Sequence, residues 1–219
     1  MSEFFLEIFT EEIPAKLQND ARNSLLEKFK SLFEEKKIKF KNSKVFSVPN
    51  RLVILFDGLS KQIILDKEEK RGPSTRSPKE ALEGFLRSNK ITEKDVYKKK
   101  TEKGEFYFFK KPSIKIKTID ILNDQIPKIL GKIPWKKSMK WGEFNLQWGR
   151  PLKSILGVFD GKTLNFKFHH IENSNLTFVD KNFEEKTKSF NSFNKYISYF
   201  KNLNVIIDNE KRMNLIKKE

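Results

Sequence analysis

The stretch FFLEIFTEEIPAK, residues 4–16, passes from an apolar run to a polar, proline-bearing break. Residues 4–9 read as a strand, and Glu11, Glu12 and Pro14 read as a helix start, with Pro near the first turn and carboxylates at the positive end of the dipole. Beyond it Leu17, Ala21, Leu25, Phe29, Leu32 and Phe33 recur at helical spacing to about residue 36. One face of that helix therefore belongs to a core and the other to solvent.

Further along, residues 45–47 and 51–59 read as strands around a Pro49-Asn50 break, and residues 62–65 are expected to continue the sheet. Residues 66–78 are polar and carry Gly72, Pro73 and Pro78, so they read as a long loop and the best internal boundary in the chain. A helix over 79–88 is expected to turn Ala81, Leu82, Phe85 and Leu86 inward. Residues 105–110 and 164–168 read as strands, and 118–130 as a helix ended by Gly131. Residues 155–159 and 164–168 flank Asp160-Gly161-Lys162-Thr163, a hairpin signature. Phe190, Phe193, Ile197 and Phe200 mark a helix, residues 205–207 a strand, and Asp208 a cap for a helix that the chain barely begins. From that ending the chain is expected to be an N-terminal fragment or a truncated gene product. These alternating elements make the expected fold α+β, a mixed sheet with helices.

The chain has 219 residues, 37% hydrophobic and 34% charged, with 21 Phe, which is enough apolar material to build a core. Its 45 basic and 29 acidic side chains leave a net charge of +16. Such a charge suits a polyanionic partner, because lysines that neutralise phosphates release counterions. A compositional reading competes with it, since only seven of the basic residues are Arg and Lys, Ile, Asn and Phe are all abundant, as in AT-rich coding sequence. With no cysteine there are no disulfides and no thiolate metal sites. No apolar run reaches the ~18 residues of a membrane helix, and a cytoplasmic location without membrane attachment is expected.

All three tryptophans lie in IPWKKSMKWGEFNLQWGRPL, residues 133–152, beside Lys136, Lys137, Lys140 and Arg150. Residues 112–153 hold nine basic and three acidic side chains. Aromatics interleaved with cations can stack on unpaired bases and grip phosphate. Against this, large aromatics usually pack, which favours Trp141 and Trp148 as core anchors with the four cations as a basic rim. Arg71, Arg76 and Arg87 gather around Gly72-Pro73, where Arg can bind phosphate bidentately or pair internally with Glu68, Glu69, Glu80 and Glu83. The candidate nucleic-acid contacts are thus Arg71, Arg76, Lys136, Lys137, Lys140 and Arg150.

Other motifs fail on context. Gly161-Lys162-Thr163 ends like a phosphate loop, but position 156 is Leu156 rather than glycine and the setting is a hairpin. Lys136-Lys137-Ser138-Met139-Lys140 superficially resembles the class I KMSKS loop in the wrong order. Glu11 and Glu12 are adjacent and point in different directions, and His169 and His170 lack the further ligands of a zinc set. No catalytic residue, cofactor site or metal site is expected in this chain.

Four blocks in one order, residues 4–16, SVPNRLVIL at 47–55, RGPSTRSPKEALEGFLRSN at 71–89 and residues 133–152, resemble the N-terminal part of the β subunit of bacterial glycyl-tRNA synthetase. The match covers residues 1 to about 160. Phe9, Asn50 and Lys136 depart from the family's usual glycine, arginine and proline, while 138–142 and Arg150-Pro151 keep its pattern. After His170 the family's Gly-His-Arg-Phe-like element is replaced by TFVDKNF at 177–183, so no role tied to that His-Arg pair carries over to this chain.

The resemblance implies a subunit of the class II glycine–tRNA ligase, an assembly of two α and two β subunits. In it the α subunit uses ATP and magnesium to activate glycine, and the β subunit binds and positions tRNA(Gly). The chain would then be one N-terminal region, residues 1–219, lacking the C-terminal anticodon-binding part and inactive alone. Two alternatives remain, a stand-alone non-catalytic RNA-binding module and a scaffold fragment that docks the α subunit.

Overall fold

A computed structural model describes residues 2–65, 68–111, 113–179 and 186–218. The chain begins with β1 (Ser2–Thr10), α1 (Ala15–Glu35), β2 (Asn42–Val48), β3 (Arg51–Leu59) and β4 (Gln62–Leu65). It continues through β5 (Glu68–Ser74), α2 (Lys79–Asn89), a 3-10 turn at Glu93–Asp95, β6 (Val96–Thr101), β7 (Gly104–Lys111), β8 (Ile114–Lys117) and α3 (Thr118–Leu130). The remainder is β9 (Leu152–Phe159), β10 (Lys162–Thr163), β11 (Lys167–Phe168), β12 (Ile171–Ser174), β13 (Leu176–Phe178), β14 (Thr187–Ser189), α4 (Phe193–Asn202) and α5 (Asn209–Ile216). The fold is α+β. It divides into two compact units, Met1–Ile63 with Lys117–Glu219, and Ile64–Ile116.

The larger unit is built on a seven-stranded mixed sheet in the order β11-β12-β9-β1-β3-β2, with β10 added to β9. All its pairings are antiparallel except β12 with β9. β1 lies at the centre, which explains why it is apolar on both faces rather than alternating. Phe4 turns toward α1, meeting Phe29 at 5.2 Å and stacking near Phe56 at 6.3 Å. Phe5 turns the other way, toward Phe193 and Tyr196 of α4 at 5.5 and 4.8 Å. Successive side chains on a strand face opposite sides, so β1 serves two cores at once. On the α1 side Phe4, Phe29, Phe33, Phe40 and Phe56 interlock with centroids 4.8–6.4 Å apart, each such pair contributing about 0.5–1.5 kcal/mol beyond its buried area.

The six α1 positions expected to be inward, Leu17, Ala21, Leu25, Phe29, Leu32 and Phe33, are the buried ones. The helix start differs from expectation. α1 begins at Ala15 behind Pro14 with no acidic residue in its first turn, so Glu11 and Glu12 precede the dipole's end. Between strand and helix the backbone is held by neighbouring loops, Glu11 N–H to Pro151 O at 2.9 Å and Ile13 N–H to Pro49 O at 2.5 Å, and only then turns helical. Glu11 pairs instead with Lys153.

β4 does not continue the large sheet. Both sides of β3 are taken by β1 and β2, and β4 pairs with β8. The Asp160-Gly161 turn has two residues, both at positive φ (53° and 77°), the geometry of a tight hairpin, and its return strand is only β10. The expected strand over 164–168 shrinks to β11. Residues 205–207 form no strand: Val205 N–H bonds back to Phe200 O at 2.9 Å, Ile206 O accepts from Arg212, and Ile207 is buried with the α4 cluster while Val205 and Ile206 are exposed. Asp208 caps α5 as expected, accepting from Glu210 and Lys211 N–H at 3.1 Å.

The smaller unit is a three-stranded antiparallel sheet in the order β5-β7-β6 with α2. Residues 68–74, expected within a long loop, are thus an edge strand. Their charges hide strand character because the apolar rows lie on β7, and Gly72 and Pro73 sit at an irregularity between Arg71 and Ser74 where the missing Pro N–H costs no pairing. Gly72 is required by closeness, since a Cβ there would lie 3.0 Å from the Phe85 ring. On α2, Leu82, Phe85 and Leu86 are half-buried, but Ala81 is exposed and no residue is fully buried.

Candidate nucleic-acid interface

After α3 the chain forms a tied loop. Met139 and Trp148 exchange backbone hydrogen bonds of 2.9 and 3.2 Å, closing residues 139–148 into one unit. Its base is anchored by Trp148, 1% exposed, which packs on Trp135 at 5.1 Å and Phe168 at 5.5 Å. Gly149 is pressed so closely by the Trp135 ring that a Cβ would stand 2.3 Å from it. At the tip Phe144 stacks on His170, centroids 3.5 Å apart and planes 6° from parallel, and Trp141 approaches the same imidazole edgewise at 6.1 Å. Burial lowers the His170 pKa, and the positive neighbours His169 and Lys167 add to that shift.

Trp148 is therefore the core anchor the sequence suggested, whereas Trp141 is not. Trp141 is half-buried at the tip of the loop, where its neighbour is a turn histidine rather than the core. The cations of the block also differ among themselves. Lys137 and Lys140 are exposed. Lys136 pairs with Asp20 at 2.7 Å in an exposed contact of small energetic consequence. Arg150 is half-buried and folds back to donate to Gly149 O at 2.9 Å.

Arg71 and Arg76 belong to the smaller unit, and the tied loop to the larger. The Arg71 guanidinium lies 3.5 Å over the Phe106 ring, and Arg76 is exposed past the end of β5. Internal pairing of these arginines with Glu69 does not occur, because that carboxylate accepts from Lys99 at 2.8 Å and from the Tyr97 hydroxyl. Hydrogen bonds from Lys99 and then Tyr97 lower the Glu69 pKa, and the Tyr97 phenol is pushed up to about 12 by the same carboxylate.

Register places Arg71 and Tyr97 on either side of Phe108, and Lys99 beside Phe106. Arg71, Tyr97, Lys99, Phe106, Phe108 and Lys110 consequently share one sheet face. On it Lys99 lies over Phe108 and Lys110 over Tyr97, each at 5.2 Å. Sequence reasoning missed this face, although KKK at 98–100 followed by FYFF at 106–109 was its visible signal.

A buried network was missed as well. Arg51, 5% exposed, donates to Glu7 Oε2 and Thr177 Oγ1 at 2.8 Å each and to Phe178 O at 2.5 Å, between the rings of Phe9 and Phe200 at 4.4 and 4.6 Å. Tyr196, wholly buried, donates its hydroxyl to Glu7, and burial pushes its pKa well above the usual value. Glu7 in the middle of an apolar strand was the clue. The network is closed to solvent and its donors are spent on the protein, so it ties β13 to the sheet rather than binding a ligand. Of residues 177–183, which replace the family's Gly-His-Arg-Phe-like element, Thr177 and Phe178 serve this network; residues 180–183 lie outside those described. Among the described residues no group of three or more His, Asp or Glu could hold a metal ion, and no helix is long and apolar enough to cross a membrane.

The family model described as glycyl-tRNA synthetase beta subunit matches residues 4–219, which carries the likeness well past His170. Among similar proteins, the glycine–tRNA ligase beta subunit of Rickettsia prowazekii (strain Madrid E) is 35% identical over 99% of this chain and 32% of its own length. That of Rickettsia bellii (strain OSU 85-389) is 35% identical over 99% and 33%, and that of Rickettsia canadensis (strain McKiel) 34% over 99% and 32%. The chain spans about a third of the length of these relatives. With β1, the β2–β3 hairpin, the smaller unit and the tied loop all inside one continuous match, this chain belongs to the glycyl-tRNA synthetase beta subunit family.

Proposed function

We propose that the chain performs part of the β-subunit role in a glycine–tRNA ligase, supporting tRNA(Gly) binding and assembly with an α subunit in a complex of two α and two β subunits. On this reading the α subunit supplies the class II site that uses ATP and magnesium, and this chain works in the cytoplasm without chemistry of its own. The observation that carries the reading is the family match over residues 4–219, and the exposed cations of the tied loop give it a surface. Lys137 and Lys140 lead the candidate phosphate contacts. Lys136 contributes by exchanging its exposed Asp20 partner for a phosphate, and Arg150 is the least available of the four because it is half-buried and folded onto Gly149.

The test is a titration of the 219-residue chain with tRNA(Gly) across a range of salt concentrations. Changing Lys137 and Lys140 together to Ala should flatten the dependence of log affinity on log salt by about 0.7–0.9 per lost phosphate contact. A slope that does not move, in a variant that unfolds normally, overturns the assignment of this loop. Absence of tRNA binding by the wild-type chain, with retention by the α subunit at high salt, favours the scaffold alternative.

A further inference from the structure

The β5-β7-β6 sheet has two unlike faces. Lys70, paired opposite Phe109, shares its face with Phe109 and Lys111, and these residues line a concavity with Ser88, Asn89 and Ile91 at the end of α2. The other face carries Arg71, Lys99 and Lys110, all exposed, over Phe106, Phe108 and Tyr97. Glu69 offsets one of the three positive charges and is already held by Lys99 and Tyr97. What remains is an exposed cationic face laid on aromatic rings.

Its geometry selects among polyanions. The Arg71 guanidinium lies 3.5 Å above Phe106, which holds the planar cation against the ring and leaves its outer surface free for a second planar group. A base unstacked from its neighbours fits that plane, and lysines close by suit the phosphates on either side of it. In a duplex the base faces are already stacked, so a duplex could use only the charge.

We infer that this face binds a single-stranded segment of RNA, with one unpaired base stacked on the Arg71–Phe106 pair and the flanking phosphates on Lys99 and Lys110. The inference rests on the tRNA-supporting reading above and adds a second contact surface in the smaller unit, chemically distinct from the tied loop. Arg71 acts there through its plane as well as its charge.

The probe is a fluorescently labelled, unstructured RNA octamer titrated against the 219-residue chain and read by anisotropy, with an RNA duplex of equal length as competitor. Arg71→Lys keeps the charge and removes the plane, and Phe106→Leu keeps an apolar side chain and removes the ring. Each should weaken octamer binding about five-fold or more, the loss expected for one stacked base, and the duplex should compete poorly. Unchanged octamer affinity in Arg71→Lys overturns the inference, as does equal competition by the duplex or no octamer binding by the wild type. If Phe106→Leu proves poorly folded, Arg71→Lys decides alone, because Arg71 is exposed. Retained tRNA(Gly) binding that depends on Lys137 and Lys140, together with a null result for the octamer, rejects this surface and leaves the proposed function standing; loss of both rejects both.

Discussion

Arg51 is a charged residue that the fold consumes entirely. Its guanidinium joins β3 to Glu7 on β1 and to Thr177 and Phe178 on β13, while Tyr196 of α4 donates its hydroxyl to the same Glu7 oxygen. Removing one member of a buried ion pair leaves an uncompensated charge, whereas replacing both by apolar groups is often neutral. Arg51→Ala should therefore destabilise the chain by about 3–5 kcal/mol in urea denaturation, and pairing Arg51→Met with Glu7→Leu should recover much of that loss. A stability change within about 0.5 kcal/mol for Arg51→Ala, as expected of surface sites, would show that the network carries no weight. The contrast with Arg71 is instructive: both arginines lie over aromatic rings, but burial commits one to the protein and exposure leaves the other available to a ligand.

Among the elements, the tied loop shows how one segment divides its aromatics between stability and surface. Trp148 fixes the base of the loop in the core, and truncation to Ala should cost about 3–5 kcal/mol. Trp141, half-buried over the turn at His170, should cost about 1–2 kcal/mol because much of its surface is still wet in the native state. Between them, Gly149 allows the Trp135 ring to press close against the backbone. Gly149→Ala places a methyl inside the space of that ring and should cost about 1–3 kcal/mol, with a change in tryptophan emission as Trp135 is displaced. Equal destabilisation by Trp141→Ala and Trp148→Ala, or a silent Gly149→Ala, would contradict this division of the loop.

For the whole molecule, the two-unit organisation makes a direct prediction. The chain leaves the larger unit and returns to it at one place, where Thr118 donates its N–H to Lys61 O at 2.9 Å and its hydroxyl to Ser60 O at 2.5 Å. A linker of about four residues in place of residues 64–116 should span that gap, since short connections suffice between neighbouring elements. The shortened chain should unfold in a single cooperative transition by circular dichroism, retain its tRNA response to Lys137 and Lys140, and lose octamer binding. Failure to fold would mean that the larger unit depends on the smaller one.

What could be read in the sequence follows from local periodicity. α1 was legible to the individual buried residue because a helix with one covered face repeats its apolar positions every three or four residues. The β2–β3 hairpin and the Asp208 cap were legible because proline, asparagine and aspartate impose their geometry within a few residues. The family could be named from four motif blocks in one order. Where local signals were weak or ambiguous, the outcome depended on partners distant in sequence. β5 is a strand because β7 lies beside it, β4 leaves the large sheet because β1 and β2 already occupy both sides of β3, and residues 205–207 stay irregular with Ile207 drawn into the cluster of Phe46, Val53 and Tyr196. The same holds for the sites: composition supplied the lysines and aromatics, but only strand register set Arg71 on Phe106, and only the closure of β13 over the sheet buried Arg51 against Glu7. Cross-strand neighbours and burial are properties of chain segments brought together from far apart, and no local pattern encodes them.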